Sequence, residues 1–310
     1  MVANRLPDKP PYLIIIAGPT AVGKTSIAID VAKYFNSEVV SADSRQFYKG
    51  LCIGTAAPSA EQLALVKHHF VGHLNPEVYY NVSRYEQDVL RLLEQMFKNN
   101  NIAVLTGGSG LYIKAVTDGI DDLPDVDPDI RENLQLISKN EGLPALRRML
   151  LMYDPVYTQK VDLSNPNRII RALEVCIQTG RPYSSQLLNN KLVRNFNIIK
   201  IALNLSRDQL HMRINDRVDQ MIEQGLIEEA RSFYPLKHLN SLNTVGYREL
   251  FDYFDQKITL DEAIEKIKTS TRRYARRQIT WFNKDKDFHW LPPDSETVIT
   301  YLNTIINKES

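Results

Sequence analysis

The segment GPTAVGKT has the spacing of a phosphate-wrapping turn, with glycines at Gly18 and Gly23, then Lys24 and Thr25. The glycines let the backbone N–H groups of the loop face inward, and Pro19, Thr20, Ala21 and Val22 between them complete the cradle. A helix beginning at Lys24 would add positive potential, Lys24 would reach phosphate oxygens, and the Thr25 hydroxyl could join Mg²⁺, which keeps most of its ligands as water and phosphate. Such a cradle identifies a polyphosphate but not the reaction. ATP is the ordinary inference, and a different diphosphate is the other.

A second group lies in SADSRQFY. Asp43 falls at the carboxyl end of an expected strand, where open α/β sheets place their ligands, so it reads as a general base or magnesium partner rather than a solvated strand-end acid. Gln46 carries both donors and an acceptor, the pattern needed to pair with the edge of a base. The turn TGGSGLY has Gly107, Gly108 and Gly110, which would let backbone approach a ligand on the same sheet edge.

Cationic side chains form the third group. On a helical wheel, TRRYARRQITWF puts Arg272, Arg273, Arg276, Arg277 and Thr280 on one arc, with Tyr274, Ala275, Gln278, Trp281 and Phe282 on a packing arc. No acid lies between Glu265 and Asp285 to pair with this stripe, which suits phosphate neutralisation. Arg168 and Arg171 share a helix face and either grip phosphate or support their own domain. Arg213 and Arg217, four apart, either reach a diphosphate or pair with Asp216 and Asp219. The pair His68–His69 reads as structural, because neighbours on a helix point apart and no third metal ligand accompanies them.

Elements must position these groups. PYLIIIAG reads as a buried parallel strand and is followed by a helix over Lys24–Phe35. EVVSAD (Glu38–Asp43), IAVLT (Ile102–Thr106) and IIKIALNL (Ile198–Leu205) read as further strands. Ser83 and Glu86 suggest a capping box on the intervening helix. From about residue 120 the texture becomes acidic and proline-broken, with short helices and no strand. One helix is capped by Asn165, has Pro166 in its first turn, and ends at Gly180 before Pro182. The expected architecture is an α/β parallel-sheet core over 1–119 and 198–310, with an all-helical insertion at 120–197.

With 310 residues, 43% of them hydrophobic, the chain can bury a substantial core. The formal net charge of +1 means that nucleic-acid binding would need a local basic face. Cys52 and Cys176 lack metal-ligand spacing and read as reduced thiols. The N-terminal MVANRLPDKPPY lacks a signal-peptide core, and no apolar run reaches bilayer length, so a cytoplasmic protein away from membranes is expected.

Taken in order, GPTAVGKT, SADSRQFY, IGTAAP, GGSGLY, RIIRALEVCIQTGRP, RVDQMIEQGLIEEA, VGYREL and TRRYARRQITWF resemble the tRNA dimethylallyltransferase, or tRNA isopentenyltransferase, family over nearly the whole chain. The resemblance implies a P-loop NTPase-like core with an inserted helical tRNA clasp. It implies transfer of a dimethylallyl group from dimethylallyl diphosphate to the exocyclic amine of the adenine 3′ to the anticodon. On this sequence Gly18 to Thr25 would hold the diphosphate, Thr25 would act on Mg²⁺ or the bridging oxygen, Asp43 would be the base, and Arg217 would steady the leaving group. The anticodon stem-loop would meet Asp43, Ser44, Arg45, Gln46, Ser109 and Arg131, and the run Asn167, Arg168, Ile169, Ile170 and Arg171. It would also meet Asn243, Thr244, Val245, Gly246, Tyr247 and Arg248, beside the arginine stripe, and the enzyme would act as a monomer. Departures are Ala57, where a lysine is common, Ser109 for threonine, and Asn243 for arginine. The competing readings are a small-metabolite kinase, an isopentenyltransferase of free adenine nucleotides, and an RNA-binding module without catalysis.

Overall fold

A computed structural model describes residues 10–121, 123–187 and 191–308. Most of the N-terminal stretch read for a targeting signal lies outside them. The chain divides into two compact units, one taking residues up to 117 and from 193 onward, the other residues 118–192.

The first unit is α/β, as expected. Its described residues form six parallel strands, β1 (Tyr12–Ala17), β2 (Val39–Ser41), β3 (His68–His69), β4 (Ile102–Gly107), β5 (Asn197–Leu203) and β6 (His289–Leu291), in the order β3-β2-β4-β1-β5-β6. The continuous apolar run of β1 has its physical cause in burial on both faces. Leu13, Ile15 and Ala17 enter one core, whereas Tyr12, Ile14 and Ile16 enter the other. Register aligns the strand ends, with Ala17 beside Gly107 and Ser41 beside Thr106, so the turns after β1, β2 and β4 open on one edge.

Two local expectations change. The Val82–Met96 helix is capped by Asn81, whose side chain accepts the Arg84 N–H at 2.8 Å. Ser83 lies inside the helix, and Glu86 faces inward to take Arg194 at 2.6 Å instead of closing a capping box. His68 and His69 form β3 rather than part of a helix. His69 bonds Glu38, and His68 Nδ1 lies 2.8 Å from the Val66 carbonyl. Strands of two or three residues, β3 and β6, have no periodicity for a sequence to display.

The second unit contains helices and one 3₁₀ turn, with no strand among its described residues. Its core gathers Leu134, Leu146, Leu150, Ile169, Ile170 and Leu173. The Pro166–Thr179 helix has the expected ends: the Asn165 side chain accepts the Arg168 N–H, and Gly180 takes φ 66°. No described helix in either unit is long and apolar enough to cross a membrane.

Candidate active site

The cradle turns between β1 and the Lys24–Tyr34 helix. Gly18 has φ 145°, and a Cβ there would stand 2.7 Å from the Leu203 carbonyl of β5, so the loop touches a neighbouring strand where only glycine fits. The Lys24 ammonium folds back over the loop and donates to the Pro19 carbonyl at 2.8 Å. Desolvation pulls its pKa down to about 8, with Asp43 opposing and Arg217 adding to the fall.

Arg213 and Arg217 project from the Arg207–Glu223 helix toward this loop. Arg213 donates to the Val22 carbonyl at 3.3 Å and Arg217 to the Thr20 hydroxyl at 3.4 Å. The alternative of surface pairing is not what forms, since Asp219 is taken by Lys268 at 2.8 Å. Burial lowers the Arg217 pKa, and Asp43 resists the shift. Cations therefore flank the cradle on both sides, suiting a ligand of multiple negative charge.

Asp43 stands just past β2. Its carboxylate accepts the Arg45 N–H at 3.1 Å and its own N–H reaches the Ser41 hydroxyl at 3.4 Å. Beside it, the Ser44 N–H donates to Ser109 Oγ at 3.1 Å, joining the turns after β2 and β4. The glycines of the latter turn admit protein rather than ligand. A Cβ on Gly107 would meet Ala42 backbone at 2.3 Å, on Gly108 the Gln278 amide at 2.1 Å, and on Gly110 the Trp281 ring at 2.2 Å. The Leu260–Phe282 helix thus lies directly on this turn.

Two cavities meet at Asp43. One of about 1100 Å³ is lined by the cradle, including Lys24 and Thr25, together with Arg213 and Gln278. The other, about 320 Å³, has Arg45, Arg248 and Arg277 among its polar lining and Ile214, Val218 and Ile267 among its apolar lining. Thr20, Asp43, Thr55, Ala56, Arg217 and Met221 line both. A carboxylate at this junction can take a proton from a group entering one side while the other side holds an anionic leaving group.

Several side chains expected to meet nucleic acid have other work. Gln46 spends its amide on the Thr55 and Ala56 carbonyls at 3.2 and 3.0 Å, and its carbonyl accepts the Ser41 hydroxyl at 3.2 Å. Base pairing by Gln46 would break this set. Arg45 donates to the carbonyls of Asn240, Ser241 and Asn243. Tyr247 is 0% exposed, and Gly246 is buried beside it. Ile169 and Ile170 are core residues of the helical unit, so only their backbone could touch a partner. There, Arg131 grips the buried Glu174 with two nitrogens, and Arg171 bonds Glu174 at 3.4 Å and the Pro124 carbonyl at 2.6 Å. Asn167 and Arg168 are exposed.

On the stripe, Arg273, Arg276 and Arg277 face solvent, but Arg272 is drawn inward by Asn215 and Thr269. Trp281, assigned to the packing arc, keeps 39% of its surface exposed. Asn243 and Arg248 are exposed, and Thr244 and Val245 are half-buried, all lining the smaller cavity. The residue that sequence reasoning missed is Gln278. It accepts from Thr20 N–H at 2.8 Å and donates to the Gly108 carbonyl at 2.9 Å. A buried glutamine on a packing arc was its only signal.

The family model described as IPP transferase matches residues 46–285. The chain is 50% identical over 298 residues to a tRNA dimethylallyltransferase of Christiangramia forsetii, covering 96% of this chain and 99% of that protein. It is 52% identical over 292 residues to tRNA dimethylallyltransferase 2 of Parabacteroides distasonis, covering 94% and 98%. The crystal structure of the full-length tRNA isopentenylpyrophosphate transferase from Bacillus halodurans superposes with a TM-score of 0.70 at 36% identity, covering 96% of each chain. A eukaryotic dimethylallyltransferase acting on tRNA superposes with a TM-score of 0.80 at 25% identity, over 96% of this chain and 80% of that one.

Proposed function

The chain belongs to the IPP transferase family, and we propose that it transfers a dimethylallyl group from dimethylallyl diphosphate to tRNA, at the exocyclic amine of the adenine 3′ to the anticodon. The observation that carries this reading is the position of Asp43, lining both the cavity of the phosphate cradle and the arginine-rimmed cavity beside it.

The diphosphate lies in the cradle and the adenine enters the smaller cavity. An adenine amine is a poor nucleophile because its lone pair is delocalised into the ring, so Asp43 removes a proton as the nitrogen attacks the allylic carbon. The N–C bond forms, the C–O bond breaks, and diphosphate departs with the bonding pair. Lys24, Arg217 and the cradle N–H groups meet the charge that develops on it. The adenine must leave its stack, which costs a few kcal/mol and least in a single-stranded loop.

No cluster of three or more metal-ligating side chains occurs among the described residues, but the cradle cavity holds the Thr25 hydroxyl and the Asp43 carboxylate. That sparse oxygen set suits Mg²⁺ carried mainly by diphosphate and water, with Thr25 as the protein ligand. When bound, the ion would neutralise charge on the leaving diphosphate. The exposed Arg273, Arg276, Arg277, Arg248, Asn243, Asn167 and Arg168 bind the tRNA backbone, and the helical unit clasps the anticodon stem-loop. On this reading the enzyme works in the cytoplasm, where tRNA is, and as a monomer, because one chain supplies every group named.

The test is incubation with labelled dimethylallyl diphosphate, Mg²⁺ and bulk tRNA, followed by nucleoside analysis. Label in a prenylated adenosine is expected. Label in free adenine nucleotides alone, or robust phosphoryl transfer from ATP, would sink the reading.

A further inference from the structure

Segments of three motifs, IGTAAP, the end of RVDQMIEQGLIEEA, and VGYREL, meet at one carboxylate that takes no part in this chemistry. Glu229 Oε2 accepts the backbone N–H groups of Cys52 at 3.0 Å and Ile53 at 2.8 Å. Its Oε1 accepts the N–H of Gly54 at 2.9 Å and the Tyr247 hydroxyl at 2.6 Å. Two donors on each oxygen use the acceptor capacity of an ionised carboxylate in full. The Tyr247 ring closes against Gly54, where a Cβ would lie 2.5 Å from it.

The same segment is held from its other side. Gln46 donates to the carbonyls of Thr55 and Ala56, and the Gln46 N–H bonds the Asp43 carbonyl at 3.0 Å. At the second anchor Ala56 takes φ 48°, a left-handed conformation uncommon for a residue with a Cβ, in a turn closed by the Ala56 N–H to the Ile53 carbonyl and the Ala57 N–H to the Cys52 carbonyl, both at 2.9 Å. Residues 52–56 are therefore pinned through their N–H groups to Glu229 and through their carbonyls to the loop carrying Asp43. Thr55 and Ala56 line both cavities, whereas Glu229 stands behind them.

We infer that Glu229, latched by Tyr247, is a positioning residue for group transfer: it fixes the wall shared by the two cavities and, through Gln46, its spacing from Asp43. This rests on the transferase reading above. A small displacement of a wall that aligns two reactants acts on turnover before it acts on binding, because each reactant keeps its own charged contacts.

Glu229→Gln keeps the shape but turns one acceptor into a donor facing an N–H or O–H group. Amide exchange of the peptide covering residues 52–54, measured on the protein without ligands, is expected to quicken about tenfold or more. With tRNA and dimethylallyl diphosphate, kcat is expected to fall about 10- to 100-fold while KM for the diphosphate and Kd for tRNA stay within about threefold. Tyr247→Phe removes one donor and leaves three, and its kcat is expected to fall about three- to tenfold by the same split. Wild-type kcat in a folded Glu229→Gln protein, unchanged amide exchange, or a loss appearing in KM instead of kcat would overturn the inference. Should Glu229→Gln not fold, Tyr247→Phe decides by the same readouts. If the wild-type protein prenylates no tRNA, the functional reading has failed, and faster exchange then supports the latch alone while unchanged exchange removes it too.

Discussion

Gln278 and Thr20 lie 258 residues apart in sequence, yet the Gln278 side-chain carbonyl accepts the Thr20 N–H at 2.8 Å. The same amide donates to the Gly108 carbonyl, so one buried side chain ties the phosphate cradle to the turn after β4. The Leu260–Phe282 helix runs along that turn, with Gln278 against Gly108 and Trp281 against Gly110. The last two turns of the helix therefore pack against the glycine turn at the edge of the site.

Replacing Gln278 by Ala leaves the half-buried Thr20 N–H and the buried Gly108 carbonyl without their partner, and should lower stability by about 1–2 kcal/mol. Urea unfolding measures that loss. Titration with dimethylallyl diphosphate should show weaker binding, because the Thr20 segment of the cradle is no longer held.

Asp43→Asn keeps an oxygen for the Arg45 N–H but cannot take a proton. Prenyl transfer should fall about 10²- to 10⁴-fold while tRNA affinity stays within about threefold. Near-wild-type turnover in this variant would remove Asp43 from the role of base.

The Lys24 pKa of about 8 sets a pH dependence. Above that pH the ammonium loses its proton, so affinity for dimethylallyl diphosphate without tRNA should drop as pH rises through about 8, by up to about tenfold per unit. Lys24→Arg should flatten the profile. For folding the sign is opposite: the unfolded lysine keeps its ordinary value of 10.5, so the ligand-free protein gains stability as pH rises from about 8 to 10.5 and loses it as pH falls back to about 8, with no further change below. Calorimetric binding and thermal melts across this window check both directions.

Neutralising Arg273, Arg276 and Arg277 to Gln should weaken tRNA binding and flatten its salt dependence by about two in log–log slope, at roughly 0.7 per single-strand contact. Arg272→Gln, which loses only its bonds to Asn215 and Thr269, should leave the slope unchanged. Filter binding over a salt series separates the two.

In the helical unit, Glu174→Gln leaves Arg131 and Arg171 without their shared anion and should destabilise the unit by about 3 kcal/mol. Arg131→Gln should act in the same direction. Hydrogen exchange of the Pro166–Thr179 helix reads this out, and unaltered protection would return Arg131 to the set of side chains available to a partner.

The α/β class, the cradle, the strand-end acid and the Pro166–Thr179 helix with both its caps were legible from residue order, because each rests on neighbours in sequence: glycine spacing, apolar runs, a cap and its stop. The arginine stripe was legible only in part, since a helical wheel gives direction but not neighbours, and Asn215 on another helix claims Arg272. The same limit explains Gln46, whose amide suits a base edge in isolation and is spent on the Thr55 and Ala56 carbonyls in the fold.

By itself the sequence determined which chemical groups the protein carries: a glycine-rich turn with Lys24 and Thr25, an acid on the same sheet edge, and cationic helices. Tertiary structure alone decided which of those groups work together. It turned Arg213 and Arg217 onto the cradle, buried Tyr247, and gathered three N–H groups and one hydroxyl on Glu229. The reason is that a hydrogen bond across 175 residues leaves no periodicity in either partner's segment, whereas a helix cap or a glycine turn is written within a few residues.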